Sequence, residues 1–411
     1  MENKLTRIKG TLKLVANNSH INKSKDVINV GFLAQYIPAW NKFEGVYREM
    51  LNNSRFNPFI ICIPENINSE TIEKRKNDTY EYFISQGYDV INALQEDGSW
   101  YDLKQLSLRY VFYTRPYNYY LPEEYTTGNV SKYAHTCLIM YGMSITTSEC
   151  KTTLNIDFTK DLKYYFAESE CIKEKLISEY PISTRLGIRK VLNCGSTGLE
   201  QVILDKDKQT DEWDFYDGKF RAIWTPRWTT DPQSLGGSSF FLYYKDIVEY
   251  AKKHSDVSLL LRPHPLMFDN FIKTKEMTQE EVESYKELIQ ETLNTKLNES
   301  KEYDAILWNS DVLISDLSGI MPEYFITGKP IIFCSKNIDI PLFSNIEKMM
   351  EGCYIAYSKE EMFGFLEQLR TGNDPLKEKR QTLIEELFGN DIGNTSKRIV
   401  ENIIKDADFK D

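Results

Sequence analysis

The chain has 411 residues, 41% of them hydrophobic, so it can bury more than one core, and two domains are expected. Its 61 acidic residues exceed its 50 basic ones, and the net charge of -11 argues against nucleic acid as a partner. Seven scattered cysteines without a Cys-x-x-Cys pair indicate neither a disulfide framework nor a zinc site. No run approaches the roughly 18–20 apolar residues that span a bilayer, and no signal-peptide pattern is present, so we expect a cytoplasmic protein.

Residues 1–25 are predicted to form a leader ahead of the first domain. Within residues 4–15, basic side chains surround four apolar ones at helical spacing: Leu5, Ile8, Leu12 and Val15. This pattern is typical of a basic interfacial helix and predicts peripheral contact with the inner face of the plasma membrane. A leader helix packed on the neighbouring domain, or a frayed terminus, fits the same pattern.

Strands alternate with helices in the next part of the chain. Apolar runs at residues 26–35 and 59–63 read as strands, and the spacing of apolar residues over 43–50 predicts a helix between them. The elements expected after these are a helix at 69–86 and strands at 88–91, 109–113, 137–141 and 164–167. Strands separated by helices imply a parallel sheet covered on both faces, so residues 26–212 are predicted to form an α/β domain.

A polar segment at residues 205–219 marks the expected domain boundary, and the alternation begins again with a strand at 220–224. A helix, a strand at 258–261, a helix that starts with a capping box of Thr278 and Glu281, and strands at 311–314 and 330–334 follow. We therefore expect a second domain over 213–411, with its last helix packing back on the first. The predicted architecture is two doubly wound, Rossmann-like domains facing across a cleft, with ligands at the carboxyl ends of the strands.

Residues 311–320 read as a buried strand that ends in small polar residues and runs directly into a helix. Backbone N–H groups, the Ser318 hydroxyl and the positive end of the helix would hold a phosphate here, and Gly319 would let its oxygens approach closely. A helix that is merely capped by Asp316 or Ser318 fits the same residues. The absence of a Gly-x-x-x-x-Gly-Lys-Ser/Thr loop disfavours a P-loop enzyme.

Two prolines stop the strand at 258–261 and rigidify a loop around a histidine, in the order Arg262, Pro263, His264, Pro265. An imidazole can donate a hydrogen bond or a proton to diphosphate oxygens, and Arg262 can pair with the same phosphates. A structural histidine in a turn is the alternative. This loop and the Ser318 loop should emerge on one edge of the same sheet.

Other loops supply further candidates. Arg227 follows the first strand of the second domain, where it would reach a donor or acceptor phosphate, although an ordinary surface loop fits as well. In the first domain, Arg115 and Tyr117 follow a strand and are expected on the acceptor side. His135 precedes another strand and is a candidate general base, with a purely structural role as the alternative.

Three segments together resemble the CDP-glycerol glycerophosphotransferase family of teichoic acid and capsule synthesis. They are Arg-Pro-His-Pro at 262–265, Asp-Leu-Ser-Gly-Ile-Met-Pro-Glu-Tyr at 316–324, and Gly-Lys-Pro-Ile-Ile-Phe at 328–333. The resemblance covers most of residues 220–335, and residues 100–145 more loosely, and is closest to the short, capsule-locus branch. It implies a GT-B fold whose second domain binds a cytidine donor.

The resemblance also implies roles for individual residues. His264 and Ser318 would lie near the donor diphosphate, and Glu323 stands where the family has an acidic residue on the following helix. The nucleotide site would be completed by Arg227, Arg262, Pro265, Asp316 and Gly319. Gly319 departs from the family because a second serine is common there. The family's His-Gly-Thr-Pro segment is absent, so the general base is open and His135 is the histidine left in a first-domain loop.

The implied reaction moves glycerol phosphate, or a related polyol phosphate, from a CDP-linked donor to a hydroxyl of a polysaccharide or lipid-linked glycan, and CMP leaves. No cofactor is implied. Two Asp-x-Asp pairs, at residues 205–207 and 406–408, are interpreted as solvated charge, so a divalent metal is not indicated.

Two other functions fit the sequence. A GT-B glycosyltransferase that uses a CMP-sugar of the sialic acid or Kdo type shares the His-Pro motif and the serine at a helix start. A nucleotide-binding scaffold without turnover is the non-enzymatic alternative, supported by the missing first-domain histidine and second serine.

Overall fold

The computed structural model describes residues 2–21, 27–65, 67, 77–148, 154–300, 303–334, 336, 339–389 and 391–408. The chain divides into two compact units. The first unit comprises Met1–Ser144, Ser148–Gln201 and Asp391–Asp411, and the second comprises Ile145–Thr147 and Val202–Asn390. Each unit carries one parallel sheet with helices, which confirms the α/β, doubly wound class for both.

The change from the first unit to the second falls between Gln201 and Val202, whereas the sequence placed it between residues 212 and 213. Packing accounts for the difference. Trp213 is buried in the second unit, where its indole N–H donates to the carbonyl of Ile306 (3.4 Å). The polar segment therefore belongs to the second unit, in spite of its composition.

The sheet of the first unit has seven strands in the order β3-β2-β1-β4-β5-β6-β7, and every neighbouring pair is parallel. Its strands are β1 (Ile28–Ala34), β2 (Phe56–Cys62), β3 (Val90–Asn92), β4 (Tyr110–Tyr113), β5 (His135–Ile139), β6 (Tyr164–Ala167) and β7 (Lys190–Asn193). Phe32 on β1 stacks on Phe112 of β4 and meets Phe43 edge to face, so aromatic rings build much of this core.

Nine α-helices of the first unit lie in the described residues, the last of them from the end of the chain. They are α1 (Glu2–Asn17), α2 (Asn41–Leu51), α3 (Asp78–Ser85), α4 (Thr127–Val130), α5 (Ile156–Thr159), α6 (Glu170–Glu179), α7 (Pro181–Arg185), α8 (Thr197–Leu204) and α17 (Thr395–Asp408). Helix α8 runs past the unit boundary by three residues. The helix predicted from residue 69 is described only from residue 77 onwards.

The second unit has a six-stranded parallel sheet in the order β10-β9-β8-β11-β12-β13. Its strands are β8 (Phe220–Thr225), β9 (Val257–Leu261), β10 (Thr295–Leu297), β11 (Val312–Ser315), β12 (Ile331–Cys334) and β13 (Tyr354–Ala356). Its helices are α9 (Phe240–Lys253), α10 (Met267–Lys273), α11 (Gln279–Glu291), α12 (Asp304–Trp308), α13 (Ile320–Phe325), α14 (Ser344–Met350), α15 (Lys359–Arg370) and α16 (Lys377–Phe388). The predicted capping box of Thr278 and Glu281 starts α11.

Both sheets reverse their strand order once. In the first unit the chain builds outward from β1 to β3 and returns to β4 on the other side of β1, and in the second unit β8 and β11 are related in the same way. Loops that follow two such strands diverge and leave a crevice at the carboxyl edge of the sheet, which is where open α/β sheets bind ligands. The crevices lie beyond β1 and β4, and beyond β8 and β11.

Helix α1 packs on the first unit through its small and basic residues. A Cβ atom on Gly10 would lie 2.5 Å from the carbonyl oxygen of Lys160, so the helix backbone is in close contact with the unit. The Lys13 ammonium donates to the carbonyl of Gly128 (2.7 Å) and pairs with Asp161. Among the described residues, no helix is long and apolar enough to cross a membrane.

Candidate active site

Three loops of the second unit meet at the carboxyl edge of its sheet. They follow β8, β9 and β11, and these strands are neighbours in the sheet. The edge therefore brings together Arg227, Arg262, His264, Asp316 and Ser318, as the sequence predicted for the Arg262 and Ser318 loops.

Asp316 is the buried centre of this edge. Its carboxylate accepts hydrogen bonds from the backbone N–H groups of Arg227 (2.8 Å) and Ser239 (3.0 Å) and from the Ser238 hydroxyl (3.1 Å). Burial raises the pKa of Asp316, while these hydrogen bonds act in the opposite direction. These bonds hold the loop that follows β8, so Asp316 orders the residues around it.

Arg227 is fixed within this loop. Its guanidinium donates to the carbonyl of Leu317 (3.1 Å) and to the Ser234 hydroxyl (3.1 Å), which ties the loop after β8 to the loop after β11. The Ser318 hydroxyl lies 3.1 Å from that of Ser315 at the end of β11. A Cβ atom on Gly319 would meet no heavy atom within 4 Å, so the space above this residue is open. A partly immobilised cation thus lies close to a serine hydroxyl.

His264 is held as a neutral hydrogen-bond donor. Its Nδ1 accepts the backbone N–H of Leu266 (3.2 Å), so in the neutral ring the proton is on Nε2. The surrounding protein, and secondarily the charge of Arg227, lower the pKa of His264 below 6.5, although one face of the residue is exposed. Pro265, next in the chain, is exposed. His264 is therefore suited to donate through Nε2 to an anion at neutral pH.

Arg262 and Glu323 belong to a second cluster at the same edge. The Arg262 guanidinium lies 4.6 Å from the ring centre of Tyr303 and donates to the side-chain carbonyl of Asn298. The Tyr303 hydroxyl in turn donates to the Glu323 carboxylate (2.6 Å). A cavity of about 670 Å³ borders this cluster, lined by residues of 208–214 and 300–306 that include Tyr303. Arg262 is thus linked to this cavity through Tyr303, while the cavity wall itself is rich in carboxylates.

The equivalent edge of the first unit carries a group of tyrosines around an arginine. Arg115 follows β4, and its guanidinium lies between the rings of Tyr36 (5.2 Å) and Tyr120 (4.3 Å). The Tyr117 ring centre is 5.9 Å from that of Tyr120. The structure therefore places both predicted acceptor-side residues, Arg115 and Tyr117, at the carboxyl edge of their sheet.

His135 is at the other edge of that sheet, and this placement removes the ground for its role as general base. It is the first residue of β5, so it lies at the amino end of a parallel strand, away from the loops that carry Arg115. Its ring is buried between those of Tyr110 (5.4 Å) and Tyr164 (6.1 Å). The alternative of a structural histidine fits this position better.

Residues 218–405 match the family model described as CDP-glycerol:poly(glycerophosphate) glycerophosphotransferase. This part of the chain is a glycerophosphotransferase-like region. The match confirms the resemblance that the motifs indicated and includes every candidate residue of the second unit. No curated protein sequence matches the chain.

Solved structures are similar to the chain over most of its length. A UDP-GlcNAc 2-epimerase from Neisseria meningitidis bound to UDP-GlcNAc has a TM-score of 0.62 at 17% identity, over 92% of this chain and 100% of the other. The wall teichoic acid polymerase TagF, in a variant soaked with CDPG, has a TM-score of 0.58 at 14% identity, over 99% and 97%. At these identities the likeness establishes the fold, which is of the GT-B type.

The sequence analysis did not identify one carboxyl group of the chain. Glu168 follows β6 at the carboxyl edge of the first sheet, and its Oε1 accepts the backbone N–H of Ser144 (3.0 Å). Its Oε2 is out of contact with solvent and has no hydrogen-bond partner among the described residues. Burial raises the pKa of Glu168. A carboxyl group in this state is a candidate for proton transfer, and a Glu between a strand and a helix gave no sequence signal.

Proposed function

We propose that the chain transfers glycerol phosphate, or a related polyol phosphate, from a CDP-activated donor to a hydroxyl of a teichoic-acid-like or capsular acceptor and releases CMP. The observation that carries the proposal is the family match over the unit whose sheet edge collects Arg227, His264 and Ser318. These groups donate hydrogen bonds or carry positive charge, as a diphosphate requires.

In the proposed reaction, an acceptor oxygen attacks the phosphorus that bears glycerol, and the bond from that phosphorus to the bridging oxygen of CMP breaks. The electron pair leaves with CMP, whose phosphate gains negative charge. Neutral His264 donates a hydrogen bond through Nε2 to this phosphate, and Arg227 stabilises it by charge. The acceptor hydroxyl gives its proton to a general base, for which Glu168 is the candidate and His135 is not.

The test is product release from defined substrates. The protein is incubated with CDP-glycerol and a synthetic glycerol phosphate trimer, and CMP and the mass of the trimer are followed, with and without a chelator. We expect CMP and a longer acceptor in both cases, since no metal is indicated. Release of CMP only from a CMP-sugar would instead support the glycosyltransferase alternative, and binding of CDP-glycerol without turnover would support the scaffold.

We further propose that the protein is located in the cytoplasm and docks on the inner face of an anionic membrane through α1. The four apolar residues predicted for this role all lie on the exposed side of the helix: Leu5, Ile8, Leu12 and Val15 are each 51–63% exposed. The helix packs on the first unit by its opposite face, through Gly10 and Leu14. Exposed Lys4 and Lys9 flank the apolar stripe, which favours an anionic lipid surface over an apolar protein partner.

Vesicle co-sedimentation tests this docking. We expect binding to phosphatidylglycerol vesicles that weakens with salt and is several-fold lower for the double variant Ile8→Ser, Leu12→Ser. Leu293→Ser is the matched control, because Leu293 is 75% exposed in the second unit. Equal vesicle binding by the double variant and the control would contradict the proposal. The proposal would also be contradicted if the double variant bound vesicles like wild type but no longer self-associated.

A further inference from the structure

The crevice of the first sheet contains an arginine that is held in place by aromatic rings. Tyr36 lies two residues after β1 and Arg115 two residues after β4, so both belong to the loops that diverge where the strand order reverses. The Arg115 guanidinium is within 5.2 Å of the Tyr36 ring centre and 4.3 Å of the Tyr120 ring centre. Ligands of open α/β sheets bind at this position.

Among the described residues, no acid pairs with this arginine. The Arg115 guanidinium forms no ion pair and no hydrogen bond there, and it lies against the Tyr36 and Tyr120 rings and interacts electrostatically with Tyr119. Two other arginines of the first unit are engaged, since Arg55 pairs with Asp408, and Arg189 donates to the carbonyls of Thr159 and Lys160. Arg115 is half-buried and therefore has lost part of its hydration without gaining an anionic partner.

The surroundings fix the orientation of Arg115. The buried Gln35 side chain donates to the backbone carbonyls of Tyr120 and Pro64, which anchors the loop that carries the Tyr120 ring. A guanidinium in contact with aromatic rings through its face keeps its N–H groups at the edge, where they can bind a phosphate with two parallel hydrogen bonds. The Tyr119 ring, 4.1 Å from that of Tyr120, is 61% exposed and offers an apolar surface beside the cation.

We propose that Arg115, with Tyr36 and Tyr120, forms a subsite for a phosphate group of the acceptor, and that Tyr119 contacts the carbon skeleton next to it. The subsite would recognise the phosphate of a polyol phosphate acceptor through the Arg115 guanidinium. This inference rests on the proposed transferase function and names acceptor-binding residues for it. An unpaired cation is suited to an anionic ligand, whereas a neutral sugar would leave the charge uncompensated.

Binding to the whole chain tests the subsite without requiring turnover. The probes are a synthetic glycerol phosphate trimer and a phosphate-free polyglycerol of the same length, measured by calorimetry. We expect Arg115→Gln to weaken trimer binding by roughly tenfold or more and to leave polyglycerol binding unchanged. Arg185→Gln is the control, since it removes the same charge from an exposed position on α7 of the same unit.

Steady-state kinetics then separates this inference from the proposed function. With CDP-glycerol as donor, we expect Arg115→Gln and Tyr119→Ala to raise KM for the trimer and to leave kcat and the KM for CDP-glycerol close to wild type. Equal trimer binding by Arg115→Gln and Arg185→Gln would overturn the subsite. Arg115-dependent binding without any transfer by the wild type would overturn the transferase function and leave the anion subsite in place.

Unfolding is monitored in the same samples, because Arg115 contributes to packing. Arg115→Lys retains the charge but not the planar fork, so we expect intermediate trimer affinity if the guanidinium binds phosphate directly. Tyr119→Ala alters an exposed ring and keeps the inference testable if Arg115→Gln fails to fold. Unchanged trimer affinity in both Arg115→Lys and Tyr119→Ala would count against the subsite.

Discussion

At the scale of single residues, the second unit separates the groups that shape the site from those that face a ligand. Asp316 shapes it, because its carboxylate is buried and accepts three hydrogen bonds from the loop after β8. His264 faces outward, because its Nδ1 is occupied by the backbone and its Nε2 is the free donor. Substitution at the two positions should therefore give different phenotypes.

Asp316→Asn is expected to lower the free energy of unfolding by about 2–3 kcal/mol. In the variant, an amide N–H₂ group replaces one of the two carboxylate oxygens. It would face an N–H group or a hydroxyl that donates to Asp316 in the wild type, so a buried donor would be left unsatisfied. Urea unfolding measures the change. Asp311→Asn is the control, since this exposed carboxylate at the start of the same strand accepts from Arg221 and should cost less. Similar losses for both variants would contradict the central position of Asp316.

His264→Ala is expected to reduce kcat by roughly 10²-fold, because removal of one preorganised donor costs about this much in comparable sites. Affinity for CDP should change far less. His264→Gln retains an N–H donor and should recover part of the rate. Because the pKa of His264 is depressed, kcat/KM should show no ionisation near the ordinary histidine value of 6.5. Wild-type turnover in His264→Ala, with the exposed His20→Ala as control, would remove His264 from the mechanism.

At the scale of elements, the packing of α1 depends on one glycine. Gly10→Ala would bring a methyl group to 2.5 Å from the Lys160 carbonyl oxygen, so the helix must shift away or detach from the unit. We expect faster amide exchange across residues 2–17, at a cost of about 1–3 kcal/mol. Gly364→Ala on α15 is the control, because its added methyl group would meet no atom within 4 Å. Amide exchange of α15 in this variant should stay unchanged or become slower. Unchanged exchange in α1 would show that Gly10 does not limit its packing.

The sequence predicted most long elements and failed where the local pattern carried too little information. The apolar runs that became β1, β8 and β11 were found because strands covered on both faces are largely apolar. β7 was missed because it is half-buried and includes Lys190 and Asn193. β10 and β13 have three residues each, too few for a periodicity to show.

The same limit applied to the two candidate sites. The residues of the second unit follow clearly predicted strands, so His264 and Ser318 could be placed on one edge in advance, whereas for Arg227 an ordinary surface loop fitted as well. His135 was misjudged although the sequence already placed it before a strand, because a residue that precedes a strand of a parallel sheet lies at the amino edge, opposite the loops that follow the strands. The tyrosines around Arg115 were not recognised as one group because Tyr36 is far away in sequence and joins them through strand order alone.

At the scale of the whole molecule, the last helix of the chain packs in the same unit as the first residues. Helix α17 buries Ile399 and Ile403 in the core of the first unit. The tail carboxylates were interpreted as solvated charge, but Asp408 pairs with Arg55, and Asp406 accepts from Tyr110 (2.7 Å) and Lys190 (2.6 Å). The first unit thus depends on residues at both ends of the chain, whereas the second is nearly continuous in sequence.

Asp406→Asn should therefore destabilise the first unit and alter its response to acid. Burial by itself would raise the pKa of Asp406. The interactions with Lys190, Tyr164 and Tyr110 prevail, however, and lower this pKa to about 2. The folded carboxyl group thus holds its proton less tightly than the unfolded one, whose pKa is near 3.8. Its stabilisation is complete above about pH 4 and is lost as the pH falls towards 2.

Between pH 7 and pH 5 we expect the Asn variant to be less stable than wild type by about 1–3 kcal/mol, and the difference to shrink in the acid range. Variants that retain only Trp40 of the first unit or only Trp213 of the second, out of six tryptophans, let fluorescence follow the two units separately. The loss should appear in the Trp40 transition, because α17 has its packing partners in the first unit. An equal shift of both transitions would show that the two units unfold as one, and an unchanged Trp40 transition would show that Asp406 does not hold α17 in place.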